Sequence, residues 1–165
     1  KVDGLLAAYT GWLATPSDPP RSDAGQPVGF APRLGAYLID AVILFVVMLV
    51  IMLPLTVLGA LIGSKVTAIG VLMRLVAWLL GMAASIAYLL VPWALVGVTP
   101  GKRLLGLKVV RGDGSEPLGW AKAALRMIGY MASGMLFCAG FIMVAFTEDN
   151  RGLHDMIADT KVVRS

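Results

Sequence analysis

The sequence predicts an all-α membrane protein: a bundle of about three transmembrane helices, with a short β-hairpin or surface strands in the linker and tail. Of the 165 residues, 58% are hydrophobic and 15% are charged, whereas soluble domains have roughly 45–50% and about 25%. Three stretches, 41–64, 75–101 and 127–147, contain no charged residue. Each is longer than the roughly 18 residues that indicate a membrane-spanning helix. This composition excludes an ordinary soluble enzyme and a disordered chain.

Residues 1–28 are predicted to form an interfacial helix followed by a flexible linker. Apolar residues recur at helical spacing within 4–14, together with the aromatic pair Tyr9 and Trp12. This pattern is typical of a helix that lies at the lipid headgroups. Residues 15–27 are rich in Pro, Ser and Asp, which indicates a linker.

The remaining chain, 29–165, is assigned to one transmembrane domain. Its first helix should begin near Phe30, because Pro32 then lies in the first helical turn, where proline is tolerated. A helix rises about 1.5 Å per residue, so each apolar stretch can cross a hydrocarbon layer of about 30 Å. The predicted spans are about 34–58, 70–98 and 124–147.

Two short segments are predicted to be strands. Lys-Val-Val-Arg occurs at 108–111 and again at 161–164, and Gly112-Asp113-Gly114 after the first copy is a hairpin signal. Pairing of the two copies would require both on one side of the membrane. That conflicts with a third full crossing, unless 119–147 enters and leaves by the same face. A chance repeat in a basic, Val-rich chain is the remaining alternative.

The basic residues indicate how the chain is oriented. With three spans, the N-terminal region and the linker 102–126 share one side and carry nine of the fourteen Lys and Arg residues. Basic residues near helix ends favour the cytoplasmic side, so both segments are expected to be cytoplasmic. No groove-reading motif or aromatic-interleaved basic patch accompanies these residues, so we expect no nucleic-acid partner.

Asp40 is the first candidate functional residue, because a carboxylate in an apolar helix costs about 2.5–3.5 kcal/mol. Arg33 lies seven residues earlier, on the same helix face and roughly 10 Å away along the axis. A third group, a water or another helix is therefore expected to bridge them. A structural interpretation has Arg33 as an interfacial anchor and Asp40 bonded to a neighbouring helix. The functional alternative makes Asp40 a proton or cation site.

The second candidate lies in the tail, where the single histidine, His154, stands beside Asp155. One histidine does not make a usual metal site, and no nucleophile elbow, phosphate loop or zinc helix is present. We therefore expect no enzymatic activity, catalytic residue, metal or cofactor. Asp155 could bond backbone amides at the start of a short helix and meet Arg33 or a linker cation.

Three motifs, at 32–40, 99–110 and 151–160, resemble in order the signature of the RDD family of bacterial membrane proteins. The resemblance covers 30–164. It implies that the named Arg and two Asp of the family correspond to Arg33, Asp40 and Asp155.

Four other residues of these motifs are possible supporting groups: Lys102, Arg103, Arg151 and His154. Asp159 departs from the pattern, since a glycine is common at that position. The resemblance also implies a bacterial inner-membrane location. It implies little about activity beyond suggested ligand transport and, for some members, cation/proton antiport.

Two functions follow from these observations. The first is an accessory or assembly subunit that packs against other membrane proteins or a second copy of itself. The second is a small oligomeric cation/proton-coupled transporter in which Asp40 carries the ion and Arg33 sets its pKa.

Overall fold

The computed structural model describes residues 2–14, 25–63, 67–135, 143–147 and 150–165. In this part of the chain, six α-helices and two strands occur in the following order: α1 (Val2–Ala14), α2 (Phe30–Gly63), α3 (Thr67–Leu95), α4 (Pro100–Leu104), β1 (Leu107–Arg111), α5 (Gly119–Met135), a 3-10 turn (Met143–Ala145), α6 (Leu153–Ala158) and β2 (Thr160–Arg164). The protein is therefore mainly helical with a small sheet, as predicted.

The chain divides into two compact units. We call 1–40 with 89–165 the sheet unit, and 41–88 the helical-hairpin unit. Helices α2 and α3 are continuous, and each contributes residues to both units.

The helical-hairpin unit consists of the apolar parts of α2 and α3. Both helices are long and apolar enough to cross a membrane. Small residues allow them to approach closely: a Cβ on Gly81 would lie 2.8 Å from the Met48 sulfur, and one on Gly59 would lie 3.1 Å from the Met73 Cβ. Close approach at small residues is the usual way that membrane helices pack. These glycines therefore serve packing within the chain.

The predicted strands form one antiparallel pair, β1 with β2, in which Val109 lies opposite Val162 and Lys108 opposite Val163. The repeated Lys-Val-Val-Arg segments are therefore partners in a sheet. The turn after β1 is present, since Gly114 N–H donates to the Arg111 carbonyl over 2.8 Å. No strand directly after this turn is present among the described residues, so β1 pairs with the tail instead of forming a local hairpin.

The core of the sheet unit lies between the sheet and the helices. Its members are buried apolar side chains from the segment before α2, the end of α3, β1, α5 and β2: Val28, Trp93, Leu107, Val109, Ala123 and Val162. The residues before α2 extend the sheet region, because Val28 N–H donates to the Val162 carbonyl over 3.0 Å. Burial of these side chains at about 25 cal/mol per Å² of apolar area supplies the main stabilisation of this unit.

Three predictions concern segments only partly described. Residues Val2–Ala14 form helix α1, its position at the membrane interface stays a prediction, and most of the predicted linker, 15–24, lies outside the described residues. Helix α5 covers the first part of the predicted span 124–147, and 136–142 lies outside the described residues. The third crossing therefore stays a prediction.

Candidate functional site

The centre of the sheet unit is a carboxylate held by two arginines. Asp155, which is fully buried, forms ion pairs with Arg33 of α2 and Arg126 of α5. Arg126 also donates to the Thr160 hydroxyl over 2.6 Å. We call Asp155, Arg33, Arg126, Thr160 and His154 the Asp155 cluster. The predicted meeting of Asp155 with Arg33 is confirmed, and it joins residues 122 positions apart in sequence.

Local structure places Asp155 at this point. Helix α6 begins after Gly152, and Asp155 accepts a hydrogen bond from the Gly152 N–H over 3.2 Å. An acidic residue in the first helical turn is favourable, because the unpaired N–H groups and the helix dipole both attract negative charge. The predicted bond from Asp155 to a backbone amide is therefore present, and it orients the carboxylate toward the arginines.

Electrostatics keep Asp155 ionised. Burial by itself would raise the pKa of this carboxyl group, but the guanidinium groups of Arg126 and Arg33 lower it well below its ordinary value. A folded-state pKa below the unfolded one contributes stability above the ordinary carboxyl range, and that stability is lost as the pH falls. The cluster is consequently a stabilising feature near neutral pH.

His154 forms the aromatic side of the cluster. Its ring lies 4.4 Å from the Tyr130 ring, and the Tyr130 ring lies 4.9 Å from the Trp93 ring, between centroids. A Cβ on Gly129 would lie 2.6 Å from the His154 Cα. Glycine at 129 therefore allows α6 to lie directly on α5.

Because of this packing, we expect stability to depend on pH through His154. Burial, and then the positive charge of Arg126, lower the pKa of His154 to about 3. The unfolded chain takes up a proton near pH 6.5 and the folded chain does not, so stability is present above pH 6.5 and falls as the pH decreases toward 3. Between pH 6.5 and 5.0 the loss should reach about 2 kcal/mol. Chemical unfolding in detergent at both pH values measures it.

The control for this prediction is His154→Gln, which removes the only histidine of the chain. The variant should show little change in the free energy of unfolding between pH 6.5 and 5.0, because ordinary carboxyl groups titrate near pH 4. An equal pH dependence in the parent and the variant would contradict the assignment to His154.

Asp40 holds a second buried contact. Its carboxylate accepts hydrogen bonds from the Thr99 hydroxyl over 2.5 Å and from the Gly101 N–H over 2.8 Å. A Cβ on Gly101 would lie 2.8 Å from the Asp40 carboxyl carbon, so the close approach requires glycine. This contact ties the first turns of α2 to the start of α4. The partner of Asp40 is thus a neighbouring helix, as the structural interpretation predicted.

Arg33 and Asp40 form the following hydrogen bonds with different parts of the chain. Arg33 also donates to the Val28 carbonyl over 2.8 Å and to the Val162 carbonyl over 3.4 Å, whereas the hydrogen bonds of Asp40 go to Thr99 and Gly101. The two signature residues of α2 therefore stabilise two separate junctions of the sheet unit.

The predicted supporting residues have different surroundings. Lys102 is buried, with its ammonium group 5.6 Å from the centre of the Trp93 ring. Arg103 lies over the Trp12 ring of α1 at 4.0 Å, and Arg151 contacts Asp159 over 3.3 Å. Lys102 thus borders the Asp155 cluster, whereas Arg103 and Arg151 form contacts elsewhere in the sheet unit.

The sequence analysis missed Arg126 as a site residue. Arg126 is fully buried, like Ala123 and Ser133 on the same helix, and these positions recur at helical spacing. An arginine among the inward positions of an amphipathic helix is the signal that could have identified it. Thr99 opens the motif 99–110, but its hydrogen bond to Asp40 depends on a tertiary contact that periodicity does not encode.

A cavity of about 170 Å³ lies beside the Asp155 cluster. Its lining includes three cationic side chains, Arg33, Lys102 and Arg126, together with aromatic rings that include Phe30 and Tyr130. Among the described residues, no group of three or more His, Cys, Asp or Glu side chains is placed to hold a metal ion. The described lining of this cavity is therefore cationic and aromatic.

Comparison with known proteins identifies a family and two relatives of this sequence. The sequence pattern of the RDD family matches residues 27–159. The uncharacterized Bacillus subtilis protein YxaI is 36% identical over 150 residues, covering 84% of this chain and 97% of YxaI. The uncharacterized protein YckC of the same organism is 33% identical over 145 residues, covering 83% and 84%. No solved structure matches.

Proposed function

Because the chain belongs to the RDD family of membrane proteins, we propose that it acts as a non-enzymatic accessory or assembly subunit of a bacterial inner-membrane complex. The observation that carries this proposal is the way the signature residues are used. Arg33, Asp40 and Asp155 bind other parts of the same chain, which is the behaviour of groups that fix a fold.

The contacts of Asp40 favour this role over ion transport. A carboxylate that carries a cation through a transport cycle must exchange its oxygen contacts with the ion and with water. Both oxygens of Asp40 accept hydrogen bonds from within the chain, and the residue is only 4% exposed. Release of those bonds would separate α4 from α2.

The helical-hairpin unit supplies the surface for membrane contacts. Large apolar side chains, among them Phe45, Val50 and Leu72, are more than half exposed, while the glycines already pack within the unit. An apolar surface of this kind suits acyl chains and the helices of another membrane protein. We propose that helices of a different membrane protein cover part of it.

The pairing of β1 with β2 bears on how the chain crosses the membrane. Strands β1 and β2 are hydrogen-bonded partners, which supports placing both ends of the intervening segment on one side of the membrane. We therefore propose that 119–147 is re-entrant and does not cross. Of the fourteen basic residues, only Lys65, which precedes α3, and Arg74, which lies within α3, fall between the charge-free stretches 41–64 and 75–101. The remaining twelve then share one side, which the positive-inside rule assigns to the cytoplasm.

Native electrophoresis of mildly solubilised membranes tests the accessory role. The chain should migrate with different membrane proteins in a fixed ratio, and its deletion should reduce the amount of that assembled complex at least twofold. Recovery only as a monomer or homo-oligomer, with all complexes unchanged on deletion, would contradict the proposal.

A flux measurement separates the transporter alternative. The purified chain in liposomes should show no cation or proton flux above that of empty liposomes, and Asp40→Asn should behave like the parent. Flux that the parent supports and Asp40→Asn abolishes would overturn the accessory role in favour of transport.

A further inference from the structure

The cavity beside the Asp155 cluster holds more positive than negative charge. Among the residues that the structure describes, Arg33, Lys102 and Arg126 line it, and no carboxylate does. Asp155 is shared by two of these cations. Even with Asp40, which accepts a hydrogen bond from the Gly101 N–H next to Lys102, the described residues place three cations against two carboxylates. Burial of the excess charge is costly unless an anion compensates it.

The guanidinium of Arg126 lies near the Tyr130 ring, 5.7 Å from its centroid, and is only partly paired among the described residues. Its side chain is fully buried, and its Nη1 serves Asp155 and Thr160. Its Nε and Nη2 have no hydrogen-bond partner in the part of the chain that the structure describes. Buried guanidinium donors normally find an acceptor. Since Arg126 lines the cavity, an oxyanion bound there could accept hydrogen bonds from these two nitrogen atoms.

The size and depth of the cavity restrict the anion. A volume of about 170 Å³ is room for about five water-sized groups, which suits a phosphate group. The α2 residues at the cavity, Phe30 to Tyr37, precede the charge-free stretch 41–64. That stretch by itself covers roughly 36 Å as a helix, enough for the hydrocarbon layer. In sequence, the α2 residues of the cavity therefore come just before a membrane-spanning stretch, a position typical of residues at the lipid headgroups.

The residues at the mouth of the cavity also favour a position at the membrane interface. Leu34 and Tyr37 line it and are 41% and 48% exposed. Exposed apolar and tyrosine side chains at the end of a span are typical of the membrane interface. A headgroup entering beside them would keep its acyl chains against α2.

We propose that this cavity binds a phosphate group, through Lys102 and the Nε and Nη2 donors of Arg126. Arginine and lysine are the usual phosphate ligands of proteins. The group could belong to an anionic phospholipid or to a soluble phosphate, and both present the same oxyanion. This inference is independent of the accessory role.

The test uses the full chain in nanodiscs of phosphatidylcholine with or without phosphatidylglycerol, with bound lipid counted by native mass spectrometry. Lys102→Gln and Leu34→Glu are the informative variants, because neither touches an ion pair of Asp155 and Leu34 is at the exposed rim. Lys122→Gln is the matched control, since Lys122 pairs with the exposed Asp159. Phosphatidylglycerol retention should fall at least tenfold in both variants and stay within twofold in the control.

A second arm identifies the source of the phosphate. Inorganic phosphate or glycerol phosphate is added to the chain in phosphatidylcholine nanodiscs, and thermal stability is recorded. A stabilisation by soluble phosphate that Lys102→Gln removes, without retention of phosphatidylglycerol, supports the site with a soluble ligand. Parent-like retention in both variants, together with no response to soluble phosphate, would overturn the proposal.

Discussion

Asp155→Asn should destabilise the protein by about 3–5 kcal/mol, the range found when one partner of a buried ion pair is removed. The substitution leaves Arg126, which is fully buried, beside a neutral amide, and Arg33 loses the same counter-charge. Equilibrium unfolding in detergent, followed by tryptophan fluorescence, measures the change, because Trp93 lies in the core near Arg126.

Asp159→Asn is the matched control for this change. It removes a carboxylate from the same tail, but the ion pairs of Asp159 with Lys122 and Arg151 are exposed, and water screens such pairs. Asparagine also tolerates the left-handed backbone of this position, where φ is 47°. The control should unfold like the parent. Equal losses in the two variants would refute the special role of the buried carboxylate.

Gly129→Ala should destabilise the protein by about 2 kcal/mol, despite the better helix propensity of alanine. The added Cβ would lie 2.6 Å from the Cα of His154, and a backbone atom cannot move away as a flexible side chain can. Relief of the clash requires α6 to separate from α5, which would also pull Asp155 from Arg126. The midpoint of chemical unfolding is the readout.

Gly11→Ala should change the stability in the opposite direction and stabilise the protein. Gly11 lies inside α1, and a Cβ there would meet nothing within 4 Å. Alanine then stabilises by about 0.5–1 kcal/mol through helix propensity alone. No destabilisation by Gly129→Ala would mean that the contact between α5 and α6 is not as the structure places it, and destabilisation by Gly11→Ala would mean that the surroundings of α1 are more crowded than the structure shows.

Periodicity and composition predicted the parts of this fold that depend on local sequence. The two apolar helices follow from the absence of charge, and the strands follow from their Val-rich repeat. A buried carboxylate needs a cationic partner, so Asp155 was expected to meet Arg33 or a linker cation, and it pairs with both Arg33 and the linker residue Arg126. Each of these features follows from the composition of one segment or from the free-energy cost of burying one charged group.

Other contacts depend on tertiary placement that no single segment encodes. Thr99 begins the motif 99–110, yet nothing in that motif indicates that its hydroxyl donates a hydrogen bond to Asp40. Arg126 reads as one of several linker cations, yet it is the one that is fully buried. Their roles arise only when α4 and α5 are packed, so chain periodicity could suggest Arg126 but not Thr99.

The long separation between Arg33 and Asp155 has a consequence for biogenesis. A ribosome adds roughly 5–20 residues per second, so the 122 residues between them take about 6–24 s to synthesise. During that interval the first two apolar helices can already be inserted while the guanidinium of Arg33 awaits its carboxylate. Until β2 pairs with β1, water or lipid headgroups at the interface can solvate this guanidinium.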